Sequence, residues 1–346
     1  MAILFDAEVT PDVLTEYVRE LPTPADLAFF NTIATRNVDD HKINLREVVH
    51  TNRTAKFRAF DGALPTMGRD GGSESEMSLL PLGNSISLGE YERLQIQFAR
   101  TGGTATAALV DAIYNDAENL TASVYNRLEL AWGQVLSTGK LTVNENGFIG
   151  EADFGVPEEN VVDVATSWAN PAALILDDLI AWQTAYEDTP GNGQAGALRI
   201  KRKNIRLMQR NTQLVDLAVG KDSTRSRITI AELRDVLAAE DLPPLVELPD
   251  TSLDVDGTAT KVIADDTALI TPANLSDLGF TALGVSVTAL ELVNSAKSDM
   301  TFQGAAGLVG VVSKNDGVPY RQFTYVDGTA MPILAQPKRL FIANIG

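Results

Sequence analysis

Residues 131–160 read AWGQVLSTGKLTVNENGFIGEADFGVPEEN, and two readings of the polar middle compete. Asn144, Asn146, Glu151 and Asp153 are hard oxygen donors of the kind that hold calcium. An EF-hand loop needs ligands at alternate positions, a glycine at the sixth and a glutamate at the twelfth, and no frame through the stretch supplies all of them. Leu141 and Val143 instead alternate with polar neighbours, and Asn146-Gly147 is the pair favoured in a two-residue type I′ turn. The stretch predicts a hairpin that begins directly after a helix closed by Gly139.

Upstream, Val110, Ile113, Ala117, Leu120, Val124, Leu128, Ala131 and Val135 follow at steps of three or four, tracing one apolar stripe on a helix that Thr104 or Thr106 can cap. Such a helix is on the order of 50 Å long, a spine longer than a small domain is wide. Before it, Leu94, Ile96 and Phe98 alternate with Arg93, Gln95 and Gln97, and Ala55, Phe57 and Ala59 alternate with Lys56 and Arg58, so both runs read as strands. The segment between them is rich in Gly and Pro and has no sustained period, which suggests a long two-stranded flap. Gly68, Gly71 and Gly72 do not make a phosphate loop, because the segment has no lysine. Met77, Leu79, Leu80, Leu82 and Ile86 give the flap an apolar surface that an isolated hairpin would leave uncovered, making them candidate subunit contacts. At the N-terminus, Thr10-Pro11 opens a helix carrying Val13, Leu14, Tyr17, Val18 and Leu21.

Downstream, Asn170-Pro171 starts a helix with Ile175, Leu179, Trp182 and Tyr186 on one face, ended by the turn Pro190-Gly191-Asn192-Gly193. A strand at 198 leads into one helix from Asn204 to Gly220, and Thr229 with Glu232 makes a capping box for the next. Turns at Asp256-Gly257 and Asp327-Gly328 punctuate short apolar runs at 308 and 340 that read as strands.

The 346 residues suffice for one large core or two modest ones, and the 45% hydrophobic, 21% charged composition is that of a globular protein. With no cysteine there are no disulfides or zinc thiolates, as suits a reducing compartment. The start MAILFDAEVT lacks the basic region of a signal peptide, and no apolar run reaches the roughly 18 residues of a membrane span. A net charge of −18 opposes adhesion to DNA phosphates. The two histidines, His41 and His50, fall in no hydrolase motif, and DVDG at 254 lacks the further ligands of a calcium loop. No catalytic, cofactor or metal site is expected. Nine of the 28 basic residues cluster from Arg199 to Arg227. Arg206 and Arg210, four apart, are candidates for a solvated face or for pairing with an acidic neighbouring subunit rather than nucleic acid, since no aromatics interleave them.

In this order, the N-terminal arm, flap, spine helix, hairpin, α/β region and final strands resemble the major capsid proteins of tailed bacteriophages, of the α+β HK97-like fold, and most closely the lambda capsid protein E family. The residues carrying the resemblance are 131–160 as quoted, SWANPAALILDDLIAW at 168 and RQFTYVDGTAMPILAQPKRLFIANI at 321–345. It implies an arm over 1–50, an extended loop (E-loop) with its strands over 51–100, a peripheral domain over 101–160 plus 320–346, and an axial domain over 161–319, to which the last strand returns. It also implies a virion shell of pentamers and hexamers around double-stranded DNA, held by enclosure rather than specific binding. Portal, scaffold and decoration proteins would be partners, with assembly in the bacterial cytoplasm and no membrane involved. An encapsulin-type compartment shares the fold and is an alternative; an acidic cytosolic enzyme is one of another class. Some capsids of this fold join neighbours through an isopeptide bond from a flap lysine, yet no lysine occurs from Asp61 to Arg93.

Overall fold

A computed structural model describes residues 7–40, 42–48, 72–99, 105–145, 147–314 and 321–346. In chain order, α1 (Pro11–Glu20) and α2 (Ala28–Thr32) precede β1 (Thr35–Asn37), β2 (Lys42–Val48), β3 (Gly72–Ser78) and β4 (Leu80–Leu88). Then come α3 (Glu90–Ala99), the 34-residue α4 (Ala105–Thr138), β5 (Lys140–Glu145), β6 (Phe148–Asp153) and β7 (Val161–Asp163). Next are α5 (Ile175–Asp188), β8 (Ala197–Lys201), α6 (Arg202–Met208), α7 (Thr212–Val219) and α8 (Ile230–Ala239). β9 (Leu245–Leu248), β10 (Ser252–Val255), β11 (Thr258–Lys261), β12 (Thr267–Thr271) and β13 (Gly279–Gly284) follow, and α9 (Val287–Val293), β14 (Val309–Lys314), β15 (Gln322–Leu334) and β16 (Phe341–Asn344) close the chain.

By contacts the chain forms two units. The first draws on 1–43, 77–132 and 280–333, the second on 44–76, 133–279 and 334–346. The first unit thus includes residues 280–319 and the second includes 133–160.

In the first unit a sheet of order β1-β13-β15-β14 also takes β4 on β15, in register from Gln322↔Leu88 to Ala330↔Leu80. Its core joins Leu14 and Val18 of α1, the α4 stripe Ile113, Ala117, Leu120, Val124 and Leu128, and Val312, Val326 and Ala330 of the sheet. Helix α1 lies so close to β14 that a Cβ at Gly310 would sit 2.9 Å from Leu14 Cγ, and Thr15 Oγ1 both donates to and accepts from the Gly310 backbone at 3.2 Å. The second unit has the sheet β7-β16-β12-β8-β9, with Trp168 and Trp182 stacked at 5.4 Å over a core including Tyr186, Leu198, Ile200, Leu233 and Phe341. The last strand, β16, lies between β7 and β12.

Several expectations change. Residues 94–98 are part of helix α3, not a strand, because good helix formers sit behind a start in which Glu92 accepts the Gly89 N–H at 2.9 Å. Ala55, Phe57 and Ala59, and His41 and His50, lie outside the described residues. Helix α5 begins at Ile175 rather than Asn170, whose side chain accepts the Ala172 N–H at 3.0 Å in a turn ahead of it. The single helix expected from Asn204 to Gly220 is two, α6 and α7, since buried Asn211 accepts the Leu214 N–H at 3.2 Å and donates to the Pro171 and Ala173 carbonyls. Asp327-Gly328 is no turn but lies inside β15, where a Cβ on Gly328 would come 2.8 Å from Leu308 Cδ2, so glycine lets the strand pass Leu308. The Thr229–Glu232 capping box, the turn at Asp256-Gly257 and the closing Gly139, with φ of 72°, stand as read.

Candidate subunit-contact surface

Strands β5 and β6 pair antiparallel from Lys140↔Asp153 to Glu145↔Phe148, the hairpin expected over the calcium loop. Residues directly opposite share a face, so Leu141, Val143, Phe148 and Ala152 lie on one side and Thr142, Asn144, Ile149 and Glu151 on the other. The Phe148 ring folds across Gly150, where a Cβ would be 3.0 Å from it. Leu141 at the base is buried, whereas Phe148 and Ile149 at the tip are 41% and 78% exposed. Lys140 Nζ reaches Asp153 at 2.7 Å and Glu151 at 3.7 Å, which raises the lysine pKa and lowers that of Asp153. This pairing at the base leaves the apolar tip as the part of the hairpin without a covering.

The flap candidates sit differently. Leu79 is buried, in the crowded site beside Gly284, and Leu82 and Ile86 pack on the α1–α4 core through the pairing of β4 with β15. Met77 and Leu80 are half-buried. Their expected lack of an intrachain partner is therefore corrected from Leu79 onward: β4 is a sheet strand, and the chain's own core takes its apolar side.

Four of the nine residues of the basic cluster pair with carboxylates. Buried Lys201 donates to the Ile263 carbonyl at 2.6 Å and pairs with Asp265 at 3.1 Å and Asp250 at 3.2 Å, and Lys261 bridges the same carboxylates. Lys261 and then Lys201 hold the Asp265 pKa down to about 2. Arg202 pairs with Glu247, Lys203 with Asp265 and Asp266, and Arg225 with Glu232. Arg206 on α6 and Arg210, beyond the end of α6, are exposed and make no ion pair among the described residues. They are no longer on one helix face, because the helix stops at Met208. No group of metal-ligating side chains occurs among the described residues, and no described helix is long and apolar enough to cross a membrane.

The tip residues Phe148 and Ile149 were missed as contact candidates. Their signal is local: two consecutive apolar residues after a two-residue turn must point to opposite faces of a ribbon that has no second layer.

A family model described as phage major capsid protein E matches residues 10–198. A solved structure described as the capsid protein of an Escherichia coli CFT073 prophage aligns over 100% of both chains at 13% identity with a TM-score of 0.61. A phage-related protein from Bordetella bronchiseptica RB50 aligns over 98% of both chains at 14% identity and a TM-score of 0.49. The capsid of Myoviridae phage XM1 covers 94% of this chain and 93% of its own at 14% identity and a TM-score of 0.48. No curated protein matches the chain.

Proposed function

The chain belongs to the phage major capsid protein E family and has its HK97-like α+β fold, which makes it a structural protein of the virion shell; from this we propose that identical copies form pentamers and hexamers that close into an icosahedral shell around double-stranded DNA. The observation that carries the reading beyond family membership is the β5–β6 hairpin, a two-layer-less ribbon with Ile149 78% exposed at its tip. Isolated two-stranded hairpins are marginal in water, and a second copy of the chain supplies the missing cover. Met77 of the flap, together with Arg206 and Arg210, is a further contact in this reading, the arginines facing acidic surface of a neighbour. The net charge of −18 limits sticking to DNA, so the genome is held by enclosure. Assembly takes place in the bacterial cytoplasm on a portal and scaffold, with a decoration protein as an added partner.

The test is expression of the full chain, followed by size-exclusion chromatography and negative-stain microscopy. The wild type should yield shells, and Ile149→Ser should yield folded protein with unchanged circular dichroism that does not close. Normal shells from Ile149→Ser would remove the hairpin tip from the contacts; a small oligomer with no particles in the wild type would remove the shell itself.

A further inference from the structure

Glu129 of α4 is fully buried, yet among the described residues no cation meets it. Its Oε1 and Oε2 accept the Phe29 N–H at 3.0 and 3.1 Å, and Oε2 accepts the Phe30 N–H at 2.8 Å. These are first-turn amides of α2, whose own N-cap, Leu27, has no side-chain acceptor. A carboxylate one hundred residues further along the same chain thus caps the arm helix, and the Phe30 ring, 5.0 Å from that of Tyr125 one turn back on α4, seals the contact.

We propose that Glu129 is a proton-linked clamp that fastens the N-terminal arm to the long helix and holds it more tightly when the carboxyl is neutral. Burial without a counter-cation disfavours the ionised carboxyl, while the amides pointed at it favour it. On the arm, the facing charge is Asp26 in the loop before α2, a group of the same sign, and α2 has no titratable side chain. On α4 the preceding turn presents Tyr125, and Arg127 is two residues away and so points elsewhere on the helix. Burial pushes the Glu129 pKa up, the Phe29, Phe30 and Ala28 amides pull it back, and Asp26 adds to the rise, leaving it above the ordinary value. When the arm lifts away the ordinary value returns. Docking is then strongest at and below the ordinary glutamate pKa, weakens as pH rises through the docked value, and levels off above it. The amide bonds keep the arm in place on the ionised side, as a loosened rather than an opened clamp.

Hydrogen exchange of the unassembled full chain tests this between about pH 4 and pH 8, a range that brackets the glutamate values seen in proteins. The peptide holding Phe29 and Phe30, with exchange divided by the intrinsic chemical rate, should lose protection as pH rises, by at most about tenfold per pH unit because one proton is involved. Peptides of α8 should stay level. Glu129→Gln should flatten the profile, and Asp26→Asn, a change at an exposed site that leaves folding intact, should move the window to lower pH. A level wild-type profile, a Gln variant that keeps the wild-type dependence, or a window unmoved in Asp26→Asn would each overturn the proposal.

Discussion

Replacing Gly133 by alanine measures how closely the long helix is gripped. Glycine inside a helix costs about 1 kcal/mol relative to alanine, so on propensity alone the change should stabilise. The structure reverses that sign. A Cβ at Gly133 would lie 1.9 Å from the Val262 carbonyl oxygen and 2.7 Å from Val262 Cγ1, where ordinary contact begins at 3.4 Å, so the helix and the 262 segment must part by about 1.5 Å. The segment cannot yield easily, since the Val262 N–H is bonded to the Thr251 carbonyl at 3.1 Å and the Ile263 carbonyl takes the buried Lys201 ammonium at 2.6 Å. Overpacking costs about 1–3 kcal/mol and the upper end applies against backbone; less the propensity gain, the net loss is about 2 kcal/mol. At about 2–4 °C per kcal/mol, the melting temperature of the unit containing Gly133 should fall by about 4–8 °C. Thermal melts by circular dichroism beside Asn119→Ala, an exposed site on the same helix, separate the two effects: Asn119→Ala should melt at or slightly above wild type. A Gly133→Ala protein as stable as Asn119→Ala would refute the close approach.

Thr229→Ala should cost about 1 kcal/mol through loss of the capping box, read in urea melts. Glu232 has its pKa held down to about 2, chiefly by Arg225, so its contribution is present above the ordinary glutamate value and lost as pH falls through about 2; a carboxyl NMR midpoint at the ordinary value would contradict this. Neutralising Arg206 and Arg210 together should impair shell assembly more than DNA retention in low-salt filter binding, and the opposite ranking would favour a nucleic-acid patch. Mature particles boiled in detergent should release a single band near 37.2 kDa, allowing for terminal processing, because there is no cysteine and no lysine from Asp61 to Arg93; a ladder of covalent oligomers would show a cross-link from elsewhere.

What the sequence determined by itself is what local chemistry controls. Pro11 at a helix start, the α4 stripe ending at Gly139, the β5–β6 hairpin and the Thr229–Glu232 box each depend on neighbours within a few residues, so their periodicity and capping were legible. Tertiary structure decided the rest. Residues 80–88 carry Leu80, Leu82, Ile86 and Leu88 at alternate positions, a strand period interrupted by Asn84, but only pairing with β15, more than two hundred residues later, gives that strand a sheet and turns Leu82 and Ile86 inward. Asn211 breaks a continuous helical pattern because its side chain finds the Pro171 and Ala173 carbonyls, a gain invisible to any local window. Gly328 was expected in a turn, and nothing local marks Gly133; each is a place where another part of the chain comes too close for a Cβ. Nothing local singles out Glu129 on the spine, and only the approach of α2 gives its oxygens their donors. Hydrogen-bond geometry along a helix or turn is set by adjacent residues, whereas burial, register and close approach are set by which distant surfaces meet.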